Sequence, residues 1–148
     1  MEKYMKLALR QAEIAYSKEE VPIGAVIVKD GKIIAKAYNN REKSKNAVGH
    51  AEILAIMKAC KKLGDWRLDD CEMYVTLEPC PMCAGAIVNA RIKTLVYGAD
   101  DKNSNNDLLT LICNDKRLNH NTNIISGIMK EECSRILTNF FQERRKIK

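Results

Sequence analysis

A chain of 148 residues is long enough for one ordinary domain and too short for two independent cores. Hydrophobic residues at 46% and charged residues at 30%, with seven Gly and three Pro, exclude disordered, fibrous and low-complexity architectures. The net charge of +6 leans toward an anionic partner, though many small soluble proteins carry as much. The longest apolar runs, such as Gly24 to Val28, fall far short of the ~20 residues that a membrane helix needs. Near the N-terminus a charge interrupts every apolar stretch, so no secretory signal is expected and the expected compartment is the cytoplasm. The six cysteines are then expected as free thiols.

Met5, Leu9, Ala12 and Tyr16 keep a helical period, which predicts a first helix over residues 2–17. Pro22 excludes its continuation. Two strands follow, 24–29 and 32–38, joined by Asp30-Gly31, a pair suited to a two-residue hairpin. Residues 39–49 are polar and read as a loop. A second helix is predicted from His50 to about Leu63, stopping at Gly64, and then a third strand over 72–77. A third helix begins near Cys80 and runs to about Ala90. Residues 94–98 read as a strand buried on both faces, since all but Thr94 are apolar or small. After a polar stretch (100–106) come a short helix over 107–113, a strand over 122–126 and a helix from Glu131 to about Lys146. The order α-β-β-α-β-α-β-α-β-α predicts one α/β domain over residues 1–148, with three layers, α/β/α, around a five-stranded mixed sheet.

Two short motifs stand at predicted helix starts. Gly49-His50-Ala51-Glu52 opens the second helix, and thirty residues after His50 the run Pro79-Cys80-Pro81-Met82-Cys83 opens the third. Singly, each is weak: His-x-Glu is common by chance, and Cys-x-x-Cys also marks redox pairs and halves of structural zinc sites. Together they make one donor set. Positions three apart share a helix face, so Cys80 and Cys83 can aim at one ion, and helix N-termini favour thiolates. His50 completes three nitrogen and sulfur ligands for an open Zn²⁺ site, one ion per chain, with a fourth position for water beside Glu52. A closed structural site is the rival, with a fourth ligand from Cys60, Cys71, Cys113, Cys133 or His120. Cys60 lies too far along its helix, well over ~10 Å from the ion, and Cys133 falls among apolar positions.

His50-Ala51-Glu52 with Pro79-Cys80-x-x-Cys83 is similar to the signature of the zinc-dependent cytidine and deoxycytidylate deaminases. Segments along nearly the whole chain, among them Glu20–Val26, Tyr74–Cys80, Met82–Ile87, Tyr97–Ala99, Glu131–Cys133 and Phe140-Phe141, resemble the bacterial tRNA-specific adenosine deaminases. The resemblance implies a cytidine-deaminase-like fold, a zinc cofactor, and a homodimer that converts adenosine to inosine at the wobble position of a tRNA anticodon. It also implies that Asn39 contacts the substrate. There are two departures: Val48-Gly49 precede His50 where the family has Thr-Ala, and residues 102–106 stand in place of a longer Gly-rich loop.

Hydrolysis of an aromatic amine needs a nucleophile at neutral pH, a protonated ring nitrogen and a protonated leaving amine. Glu52 is the candidate carrier of those protons. The Ala51 N–H, at a helix start, can hold a polar edge of the substrate, and the Asn39 amide can donate and accept at once. Arg144, Arg145 and Lys146 belong to a C-terminal run with four basic residues in five. They are candidate RNA phosphate contacts, or solvated cations at a helix end. Trp66 and Arg67 read as packing. Two further readings stay open. The short loop suits a free purine base or nucleoside (guanine or an adenine analogue) as substrate. The basic excess suits a non-catalytic, zinc-stabilised RNA-binding module, in which Glu52 has no task.

Overall fold

The computed structural model describes residues 1–103 and 106–147. Ser104 and Asn105 of the polar 100–106 stretch, and Lys148 of the basic C-terminus, lie outside the described residues. The elements follow in the expected order: α1 (Glu2–Ser17), β1 (Gly24–Lys29), β2 (Lys32–Tyr38), α2 (Ala51–Leu63), β3 (Cys71–Leu77), α3 (Pro81–Asn89), β4 (Thr94–Ala99), α4 (Asn106–Asn114), β5 (Asn123–Ser126) and α5 (Lys130–Ile147). The β1–β2 turn has positive φ at both central residues, 51° at Asp30 and 74° at Gly31, which matches the twist of the flanking strands. No helix of the described residues is long and apolar enough to cross a membrane.

The strands form one mixed sheet of order β2-β1-β3-β4-β5. β1 pairs antiparallel with β2 and β3, while β3–β4 and β4–β5 are parallel. Both faces are covered, so side-chain alternation splits the core in two. Ala25, Ile27, Met73, Val75 and Leu95 face a layer of α2, α3 and α4, packing on Ala55, Ala59, Ile87 and Leu109. Val26, Val28, Tyr74 and Val96 face α1 and α5, packing on Met5, Ala8 and Cys133. α1 approaches β1 so closely that a Cβ on Gly24 would fall 2.0 Å from the Ala8 carbonyl oxygen.

The differences from expectation are local. β5 starts at Asn123 rather than 122, because Thr122 turns aside: its N–H donates to the Cys113 carbonyl and its hydroxyl to the Ile92 carbonyl. The predicted first residues of two helices, His50 and Cys80, have extended backbones (φ −74°, ψ 148° and φ −72°, ψ 170°) and act as N-caps of α2 and α3.

Candidate active site

Each cap residue ends a different connection. β3 leads through Glu78 and Pro79 straight to Cys80, while β2 reaches His50 through the loop 39–49. His50 makes no side-chain capping bond to α2, and Cys80 turns its sulfur toward His50 and toward Cys83 of α3. Cys80 and Cys83 occupy the cap and third positions of α3, the pair that in a capping box reach toward each other. His50 Nδ1 lies 3.7 Å from Cys80 Sγ and 3.6 Å from Cys83 Sγ. All three donor atoms fall within 4.8 Å of one another, and among the described residues no fourth ligand joins the cluster. Tetrahedral bonds of about 2.0–2.3 Å to nitrogen and sulfur place such donors roughly 3.6 Å apart. The cluster is thus compatible with zinc in donor type and in spacing.

Packed this closely, the three groups shift one another's protonation. The Cys83 thiol hydrogen-bonds Cys80 and, against the cost of burial, lowers the Cys80 pKa to about 4, with His50 assisting. Cys83 holds the proton in return and is raised by that hydrogen bond and by burial. His50 is raised through its bond to Cys80 despite burial, and the Glu52 charge adds to the effect. Protons packed this closely between soft donors occupy the place that a divalent cation takes.

Glu52, in the first turn of α2, is 4% exposed and within hydrogen-bonding reach of Cys83. Burial raises its pKa to about 7, against the opposing pull of its own backbone N–H and His50. Asn39 is 6% exposed, and its Oδ1 has no hydrogen-bond partner. A buried acceptor left unpaired costs on the order of 1–3 kcal/mol, so it marks a place for a donor from outside the chain. Ala51 is the first residue of α2, whose opening N–H groups lack helical acceptors.

The remaining candidates lie apart. Cys60 Sγ donates to the Trp66 carbonyl, Cys133 packs beside α1, and His120 Nε2 lies 2.7 Å from the Ile92 carbonyl. Trp66, read from sequence as packing, is 56% exposed, with Arg67 and Arg91 against its ring. Arg144 donates to the Glu19 carbonyl, whereas Arg145 lines two grooves of about 540 and 490 Å³. The larger groove runs past Leu77, three residues before Cys80, and past Asp100, Asp101 and Phe141.

Two buried carboxylates fall in segments that carry the family resemblance, yet sequence reasoning assigned neither a role. Glu78 accepts the Asp101 N–H and thereby holds the chain leaving β4. Glu20 accepts the N–H groups of Arg41, Glu42 and Lys43.

A cap-borne His-Cys-Cys cluster beside a buried glutamate, on a three-layer α/β/α frame, is a deaminase arrangement. The chain belongs to the MafB19-like deaminase family, whose model matches residues 1–145. More narrowly, it is similar to tRNA-specific adenosine deaminases. That of Bacillus subtilis (strain 168) is 49% identical over 148 residues, spanning 99% of this chain and 92% of its own. The solved structure of a tRNA:A34 deaminase, a class that carries out A-to-I editing at the wobble position, aligns with a TM-score of 0.84 at 41% identity. That alignment covers 91% of this chain and 99% of the other. Guanine deaminase from Bacillus subtilis aligns over less, 67% of this chain and 64% of its own, with a TM-score of 0.64 at 48% identity.

Proposed function

We propose that this protein is a hydrolytic deaminase of a single domain that converts adenosine to inosine at the tRNA wobble position, releasing ammonia. The observation that carries the reading is the end-to-end likeness to tRNA deaminases, set against the partial likeness to guanine deaminase. An exposed anticodon loop offers an adenosine that leaves its stack at little cost.

His50, Cys80 and Cys83 are the residues that would hold a zinc ion. When bound, Zn²⁺ supplies Lewis acidity that lowers the pKa of a water from 15.7 toward ~7. The remaining steps belong to the chain. Glu52 accepts the first proton that water gives up and delivers it to the purine ring nitrogen next to the amino-bearing carbon. It then takes the second proton from the added hydroxyl and gives it to the amine, which departs as ammonia while the carbonyl forms. A carboxyl with its pKa near neutrality can do both. Asn39 Oδ1 accepts a hydrogen bond from the nucleoside, and the Ala51 N–H donates to its polar edge.

The partner copy of a homodimer is expected on the α2–α3–α4 layer. There Met57, Met82, Leu108 and Leu111 are exposed, one or two from each helix, and exposed apolar side chains on one layer favour association where they adjoin. The chemistry belongs in the cytoplasm, with its tRNA substrate.

The deciding experiment measures ammonia release from an anticodon stem-loop with adenosine at the wobble position, and from free guanine, adenine and adenosine. Inosine formed only in the RNA is expected. Efficient, salt-insensitive turnover of a free purine with no inosine in the stem-loop overturns the reading.

A further inference from the structure

Glu20 lies outside the donor cluster, in the segment between α1 and β1, with a carboxylate only 2% exposed. One of its oxygens accepts the backbone N–H groups of Arg41 (2.9 Å) and Glu42 (3.0 Å), and the other that of Lys43 (2.9 Å). Burial disfavours the charge, but the N–H groups of Lys43, Glu42 and Arg41 outweigh it and hold the pKa below the ordinary carboxylate value. Successive N–H groups turned the same way form an anion-binding concavity. Here the chain fills that concavity with its own carboxylate.

What this grip controls follows from the loop it holds. The Asn39 N–H donates to the Ile23 carbonyl, so the strap from Glu20 to Ile23 runs alongside 39–43. The Asn40 N–H donates to the Gly49 carbonyl at 2.9 Å, joining the two ends of the loop. Gly49 sits so close that a Cβ there would lie 2.4 Å from the Asn40 oxygen. Asn39 therefore stands at one foot of a closed loop and His50 at the other. If the loop were loose, ordering Asn39 would be charged against substrate binding. Held by a buried carboxylate, the loop is ordered when the protein folds.

We propose that Glu20 is a positioning residue for the deamination, gripping residues 41–43 so that Asn39 is fixed relative to His50 and Glu52. This rests on the reading of Asn39 as a substrate contact.

The test is a double-mutant cycle on metal-loaded protein, combining Glu20→Gln with Asn39→Ala. It is read as kcat and KM for an anticodon stem-loop RNA with adenosine at the wobble position. Glutamine keeps the shape, but its amide nitrogen is a donor and meets another donor. Glu20→Gln should raise KM roughly tenfold with a much smaller change in kcat, and should add little in the Asn39→Ala background. Amide exchange should quicken in residues 39–49 while β1 and β3 stay protected. An unchanged KM in folded Glu20→Gln protein overturns the proposal, and so do effects that multiply in the double variant. A wild-type KM for Asn39→Ala overturns the reading of Asn39 and the proposal with it, a failure visible in that single variant alone. If the glutamine variant does not fold, Glu20→Asp, which keeps the charge but withdraws the oxygens by one methylene, goes through the same cycle with the same outcomes decisive.

Discussion

Glu52 is a carboxyl group placed where water cannot support its charge, and that burial raises its pKa to about 7. A proton carrier works best near the operating pH, so the placement suits the role proposed for it. Glu52→Gln keeps the size and the metal donors but removes the proton carrier. Turnover at matched metal content should fall by at least ~10²–10⁴-fold, and retention of more than about a tenth of the rate refutes the assigned role. The same burial has a cost in stability. A carboxyl whose folded pKa lies above its unfolded value binds more protons folded than unfolded between about 4.5 and 7, so its contribution weakens as pH rises through that window. Metal-free wild type should therefore lose stability relative to metal-free Glu52→Gln from pH 4.5 to 7, by up to about 3 kcal/mol. Parallel melting curves of the two proteins across those pH values check this, and a constant difference refutes it. The place of Glu52 beside the donor cluster was legible in the sequence because it stands two residues from His50 at the opening of one helix. Glu20 was not. It opens the family-like segment Glu20–Val26, but its partners lie 21 to 23 residues away, so nothing local shows what its carboxylate holds.

Two helices start at the donor cluster, and two connections of different origin end there. A bound ion therefore ties the loop 39–49 to the β3–α3 turn, and its removal should loosen both together. Chelation should lower the melting temperature, with amide exchange rising first at the openings of α2 and α3, while β1 and β3 keep their protection. Equal melting curves with and without chelator, on protein shown to hold zinc, count against the tie. On the opposite face, α1 meets β1 through Gly24. A Cβ there would press on the Ala8 oxygen at 2.0 Å and the Ala12 nitrogen at 2.5 Å, backbone atoms that cannot rotate away. Gly24→Ala should destabilise by at least about 1–3 kcal/mol, read by denaturant unfolding. The elements themselves were legible because local signals agreed: the period of α1, the Asp30-Gly31 turn, and the unbroken apolar run of β4. The N-caps and the start of β5 were not, since they depend on hydrogen bonds made across the fold, such as that of Thr122 to Ile92.

At the scale of the whole molecule, a net charge of +6 becomes binding only where the cations are free to meet phosphates. Several are committed. Arg67 pairs with Asp69, Arg117 with Asp115, and Lys130 with Asp100. Arg144, one of the three C-terminal candidates, donates to the Glu19 carbonyl at 3.2 Å and lies over the Phe140 ring, so it braces α5 against the end of α1. Arg145 differs, for it lines two grooves beside α5 where Arg144 lines only the smaller of them, and the larger one passes the end of β3 just before Cys80. On the proposed reading, a tRNA loop that delivers its wobble base to the donor cluster would run its flanking phosphates past that end of the sheet. Arg145→Ala should then weaken binding of an anticodon stem-loop and reduce the slope of log affinity against log salt by roughly 0.7–0.9, one phosphate contact. Arg144→Ala should leave that slope unchanged and lower the melting temperature slightly, since an exposed brace contributes less than about 1 kcal/mol. Salt titrations of the two variants separate the roles. A slope that falls for Arg144→Ala and not for Arg145→Ala reverses the assignment, and one that falls for neither removes the C-terminal helix from the RNA interface.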